Sequence, residues 1–141
     1  MYRYHKPKIS LSIENKKFID QVLISFGQVV ILTDGRSISQ RLKLSALGLT
    51  EIPVYISEEW KSKKPNNKRF IAIMKKYSFL SHFCYIGDNP SKDFIAPNSL
   101  KWTSICLKGN KTNIHKQEEQ NINRENLPNY WVNNLNEIIL C

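Results

Sequence analysis

Apolar positions along this chain switch between two spacings. Over residues 13–26, Phe18, Ile19, Val22, Leu23 and Phe26 recur at three- and four-residue intervals, which predicts a helix with one apolar face. Gly27 is placed to end it. Val29-Val30-Ile31-Leu32 is a continuous apolar run rich in β-branched residues, read as a buried strand that stops at Thr33-Asp34-Gly35-Arg36. Ile38, Leu42 and Leu47 predict a second helix, with Gly48 as its stop signal. Pro53-Val54-Tyr55-Ile56-Ser57 reads as a short strand and residues 58–64 as a charged loop. Pro65 suits a first helical position, and Phe70, Ile71, Met74 and Tyr77 supply the next apolar face. A strand over 83–86, a short helix over 91–96 and a strand over 102–107 follow. Residues 109–126 carry only Ile114 and Ile122 as aliphatic groups, which predicts a mobile polar loop. Pro128-Asn129-Tyr130-Trp131-Val132 predicts a short edge strand, and Leu135, Ile138 and Ile139 a terminal helix. Residues 1–12 are polar, and Pro7 argues against helix there.

Strands that alternate with helical patterns imply βαβ units with right-handed crossovers. The expected fold is α/β: a three-layer, Rossmann-like arrangement with a mainly parallel sheet, built as a single domain over residues 1–141. At this length a real core is possible. No apolar run approaches the roughly 20 residues of a membrane helix, and the start of the chain has no apolar signal core. Cys84 and Cys106 lie inside apolar runs, Cys141 stands alone, and none sits at zinc-site spacing, which suits buried thiols in a reducing cytoplasm.

Charge changes the picture in one half only. The net charge is +9, and residues 1–76 hold 15 basic and 6 acidic groups while the remainder is balanced. Between Trp60 and Lys76 stand seven bases and no acid. Such a field attracts phosphate esters, nucleic acid or anionic surfaces, and a solvated helix face has the same composition. Aromatic residues are not interleaved with the bases as a stacking platform needs, which argues against nucleic acid.

Cys84-Tyr85-Ile86-Gly87-Asp88-Asn89-Pro90 runs from an apolar strand into a turn, and Asp93 follows five positions after Asp88. The carboxylate of Asp88 then falls at the carboxyl end of a strand, where open α/β sheets place ligands. Two acids there repel unless a cation or a lysine lies between them, and oxygen ligation of this kind suits magnesium. A turn with an Asp cap and a solvated Asp93 is the plainer reading of the same residues. In one parallel sheet Thr33, the lysines before Pro65 and Asp88 with Asp93 would share an edge, enough to hold a phosphate and its metal.

In this order, strand-Thr33, Lys64-Pro65 and Gly87-Asp88-x-x-x-x-Asp93 resemble the second, third and fourth motifs of the haloacid dehalogenase (HAD) superfamily of hydrolases. The resemblance covers roughly residues 2–108; Arg3-x-His5-x-Pro7-x-Ile9 resembles the stretch entering the core after the cap, and Leu32-Thr33-Asp34-Gly35-Arg36 with Ala46-Leu47-Gly48-Leu49 is similar to one branch. It implies magnesium-dependent phosphoryl transfer from a small phosphorylated metabolite. Thr33 and Lys64 would be the catalytic residues of this portion, and Thr33, Asp34, Gly35 and Lys64 the phosphate-binding set. Asp88 and Asp93 would be the metal pair, Asp93 also supporting Asp88 or Lys64.

The chain departs from that pattern at its most reactive point. The family's first motif, Asp-x-Asp-x-Thr, supplies the nucleophile and the acid/base, and no Asp-x-Asp occurs here. Its strand would lie between those ending in Thr33 and Asp88, so the first, central strand is expected to be missing. A second chain or a second copy would then supply it, or it lies upstream or is lost, or the two flanking strands close up directly; the chain alone would be incomplete or inactive. A non-catalytic module binding a phosphate or a partner, and a basic anion- or nucleic-acid-binding protein, are the alternatives.

Overall fold

The computed structural model describes residues 10–25, 27–108 and 123–138. Arg3, His5, Pro7, Ile9, Phe26, Ile139 and most of the predicted 109–126 loop lie outside the described residues. The chain gathers into two compact units that divide between Lys63 and Lys64.

In the first unit, α1 spans Ile13–Ile24, two residues short of the apolar pattern. Ser12 caps it, its Oγ accepting from Asn15 N at 3.1 Å, because the first amides of a helix have no internal acceptor. Strand β1 (Ile31–Thr33) pairs in parallel with β2 (Val54–Ile56), Ile31 opposite Val54 and Thr33 opposite Ile56. Between them α2 runs over Ser37–Ala46. Its end is chemically specified. Gly48 takes φ 74°, its N–H reaches Ser45 O at 3.1 Å, and Leu49 N reaches Leu44 O at 2.9 Å, the paired bonds that close a helix through a left-handed glycine. Tyr55 and Ile56 are the buried centre of this unit. Residues 58–64 were expected as a loop. Instead Ser57–Trp60 forms the short helix α3, because Glu58 accepts from Ser37 N at 2.8 Å and Glu59 holds Arg41 Nε at 2.9 Å, tying the acids back to α2.

In the second unit, α4 (Lys68–Lys76) starts three residues later than Pro65 suggested, where Asn66 Oδ1 accepts from Lys68 N at 2.9 Å. Its buried Phe70 meets Tyr85 and Trp102 edge-on at 5.2 and 5.3 Å between ring centroids. Strand β3 (Cys84–Gly87) pairs in parallel with β4 (Thr103–Leu107), which pairs in parallel with β5 (Tyr130–Val132) at the edge. The central strand buries Ser104, Ile105 and Cys106. Helix α5 lies at Ile95–Ser99 rather than 91–96, because Asn89 and Asp93 spend their side chains on a tight turn ahead of it. Residues Leu135–Glu137 form a 3-10 turn in place of the expected terminal helix.

Both units are α/β with parallel pairing, the Rossmann-like organisation expected. Hydrogen bonding among the described residues nevertheless makes two sheets, β1–β2 and β3–β4–β5, where one was expected. The free edges explain it. Ile31 N is bonded to Pro53 O and Phe83 O accepts from Thr103 N. Alternation along a parallel ladder therefore turns the backbone of Leu32 in β1, and of Cys84 and Ile86 in β3, toward edges that no described strand covers. No residue of β1 or β3 is buried, whereas Ser104, Ile105 and Cys106 at the centre of β4 are.

Candidate functional site

Gly87 ends β3 because a side chain there has no room. A Cβ on it would lie 2.6 Å from Asp93 Oδ2 and 3.0 Å from Asp93 Cγ. That space lets the chain turn so that Asp93, 2% exposed, folds beneath the loop that follows. Its Oδ2 accepts from Asp88 N at 3.1 Å and Asn89 N at 2.9 Å. Asp93 N in turn donates to Asn89 O at 2.9 Å, and Asn89 Oδ1 accepts from Ser91 N at 3.1 Å. Asp93 Oδ1 is 2.8 Å from Lys64 Nζ, with side-chain exposures of 3% and 10%. Lys64 also donates to the Tyr85 hydroxyl at 3.1 Å. Burial opposes charging this ammonium, but the oxygens of Tyr85 and Asp93 outweigh it and hold the lysine above its ordinary range.

Asp88 is exposed at the carboxyl end of β3, carried on the turn that Asp93 braces. Cys106 sits across the ladder from Gly87. Burial, then the charges of Asp88 and Asp93, push its thiol up to about 12. The second unit thus brings Lys64, Asp88 and Asp93 to one turn, with one exposed carboxylate in front and a buried acid–lysine pair behind. Hard cations that keep most of their water take one or two carboxylates, so this donor set fits magnesium through Asp88, while both oxygens of Asp93 are already engaged. Among the described residues there is no group of three or more His, Cys, Asp or Glu that could hold a metal ion.

Thr33, Asp34 and Gly35 belong to the first unit, at the carboxyl end of β1. The Thr33 hydroxyl bonds to Gln40 Oε1 at 3.1 Å, and Gly35 N donates to Ser57 Oγ at 2.8 Å. Gly35 has φ 140°, a conformation that L side chains avoid.

Gln40, Ser57 and Tyr85 support these turns and were not singled out from the sequence. Tyr85 carried a weak signal, a hydroxyl within an otherwise apolar strand. Gln40 and Ser57 carried none, since their partners are 7 and 22 residues away.

No protein-family profile matches the sequence, and no curated protein matches it. Solved structures do. The chain has the fold of haloacid dehalogenase-like hydrolases. It is similar to a HAD phosphatase from Thermococcus onnurineus, with a TM-score of 0.70 and 20% identity over 90% of this chain and 55% of that one. The HAD-hydrolase YfnB from Bacillus subtilis, in a structure bound to magnesium, gives 0.69 and 20% over 90% and 54%. A dehalogenase with an intermediate complex gives 0.67 and 15% over 92% and 55%. The chain therefore spans about half the length of the structures it matches. Among the described residues no helix is long and apolar enough to cross a membrane.

Proposed function

We propose that this chain is the phosphate- and metal-holding part of a HAD-like phosphatase that acts on a small phosphorylated metabolite, and that it is inactive alone. The observation that carries the proposal is the pairing of Lys64 with Asp93 beneath a turn that displays Asp88 at a strand's carboxyl end. Asp88 would hold magnesium, and Asp93 acts behind it by fixing the turn and the lysine. The metal, when bound, would neutralise phosphoryl oxygens and orient the group for in-line attack. Lys64 is held charged and in place by Asp93 and Tyr85, so it can meet a phosphoryl oxygen without reorganising. In the first unit Thr33 is the proposed hydroxyl donor to phosphate, on the turn formed with Asp34 and Gly35.

The attacking carboxylate would come from outside these 141 residues. The sequence contains no Asp-x-Asp, so a second copy could cover an open edge but could not bring the nucleophile. An apolar strand bearing that pair, laid along Cys84 and Ile86 of β3, satisfies both needs.

The test measures magnesium-dependent hydrolysis of p-nitrophenyl phosphate by the chain alone, alongside binding of magnesium with inorganic phosphate. Background hydrolysis is expected, with binding that weakens in Asp88→Asn and Lys64→Met. Turnover by the chain alone that both variants retain would overturn the reading. Light scattering after size exclusion examines the donated strand: a stable monomer with ordinary thermal unfolding counts against it.

A further inference from the structure

We infer that Asn126 is a positioning residue for the cation site, clamping the Asp88–Asp93 turn by its carbonyls where Asp93 holds its N–H groups. The inference rests on the reading of Asp88 as the cation ligand and adds a residue from the predicted polar loop. Asn126 is 8% exposed, and its Nδ2 donates to Pro90 O at 2.9 Å and to Ser91 O at 3.1 Å. Both hydrogens of the amide are therefore spent on carbonyls that lie between Asp88 and Asp93. The turn is gripped twice: Asp93 takes the N–H groups of Asp88 and Asn89, and Asn126 takes the next two carbonyls.

The clamp is itself anchored. Asn126 ends a 3-10 turn (Arg124–Asn126), and Asn98 Nδ2 bonds the carbonyls on either side of it, Glu125 O at 3.1 Å and Leu127 O at 2.7 Å. Asn98 Oδ1 accepts from Ser104 Oγ at 2.7 Å, which fixes that amide to the buried centre of β4. Two facts indicate that the carboxamide is there for the turn. Among the described residues its Oδ1 is buried without a hydrogen-bond partner, an arrangement that generic packing disfavours. A flipped amide would set its oxygen against two carbonyl oxygens, so only the observed orientation is tolerated. A hold of this kind acts on a metal ligand through the ligand's backbone, and the loss of such supporting groups weakens metal affinity by about 10–100-fold.

The experiment titrates Mn²⁺ into the whole chain and follows water proton relaxation for wild type, Asn126→Ala, Asn126→Asp and Asp88→Asn, with circular dichroism to establish folding. Asn126→Ala is expected to weaken Mn²⁺ binding about 10-fold. Asn126→Asp is expected to weaken it further, since a carboxylate faces two carbonyls. A residue that serves stability alone would lower the melting temperature and leave the affinity of the folded protein unchanged; that result overturns the inference. Wild type that binds no Mn²⁺, or Asp88→Asn with wild-type affinity, sinks the cation reading instead. Should the Asn126 variants not fold, the side-chain NH₂ resonances of Asn126 in wild type answer the question. They are expected to shift on saturation with Mg²⁺, and resonances that stay put overturn the proposal.

Discussion

Removing Asp93 should cost far more than removing the lysine it pairs with. Asp93→Ala deletes an acceptor of two backbone N–H groups, each such bond to a charged group being worth about 1.5–3 kcal/mol. It also strands the Lys64 ammonium, 10% exposed, without its carboxylate. Breaking a buried pair from one side costs about 3–5 kcal/mol, and that is the expected loss. Lys64→Met leaves Asp93 with both amides and a side chain of similar length above it, so about 1–2 kcal/mol is expected. In the double variant no charge is stranded. Its loss should fall below that of Asp93→Ala alone, a coupling of more than about 1–2 kcal/mol. Urea unfolding followed by tryptophan fluorescence measures all four forms, provided the slopes with denaturant agree. Losses that add within about 0.5 kcal/mol would refute the reasoning, because the two side chains would then act independently. pH gives a second check. The folded-state pKa of Lys64 is raised, so its stabilising contribution is fully present below the unfolded lysine value near about 10.4 and is lost as pH rises above it. The cost of Lys64→Met should therefore be constant from neutral pH to about 9 and shrink in stronger alkali.

Gly87→Ala should destabilise by about 1–3 kcal/mol, since its methyl group would overlap Asp93 Oδ2 and push the carboxylate off the turn. Urea unfolding gives the loss, and faster hydrogen exchange at Asp88 N and Asn89 N would locate it. Cys106, fully buried with its thiol pushed up to about 12, should resist a maleimide at pH 8 until the protein unfolds. Mass spectrometry of labelled peptides across a urea series checks this, and labelling of Cys106 in the native protein would contradict the burial described.

Wherever a local rule decides the outcome, the chain could be read directly. Gly48 after Leu47 stops α2 because only a residue at ease with positive φ closes that end. Strands formed within the apolar runs, although β1 keeps only Ile31 and Leu32 of the run from Val29 to Leu32 and is half-buried, because such residues suit a pleated backbone. Gly87-Asp88 followed by Asp93 marked its own turn, since both partners lie within a few residues of each other. The same five-residue spacing could not say whether Asp93 faces water or lies buried against Lys64, 29 positions earlier.

Other features came only from chain segments that meet in space. Asn126 looked like part of a solvated loop, and its role depends on Pro90 and Ser91. The acids of α3 resembled loop residues until Ser37 and Arg41 were found against them. Spacing and propensity, which act over one or two turns of backbone, thus determined the order of elements and the identity of the acid turn. The open edges of β1 and β3, the burial of the Lys64–Asp93 pair and the clamp on the turn were decided by tertiary structure, because hydrogen bonds and desolvation respond to neighbours in space regardless of their distance along the chain.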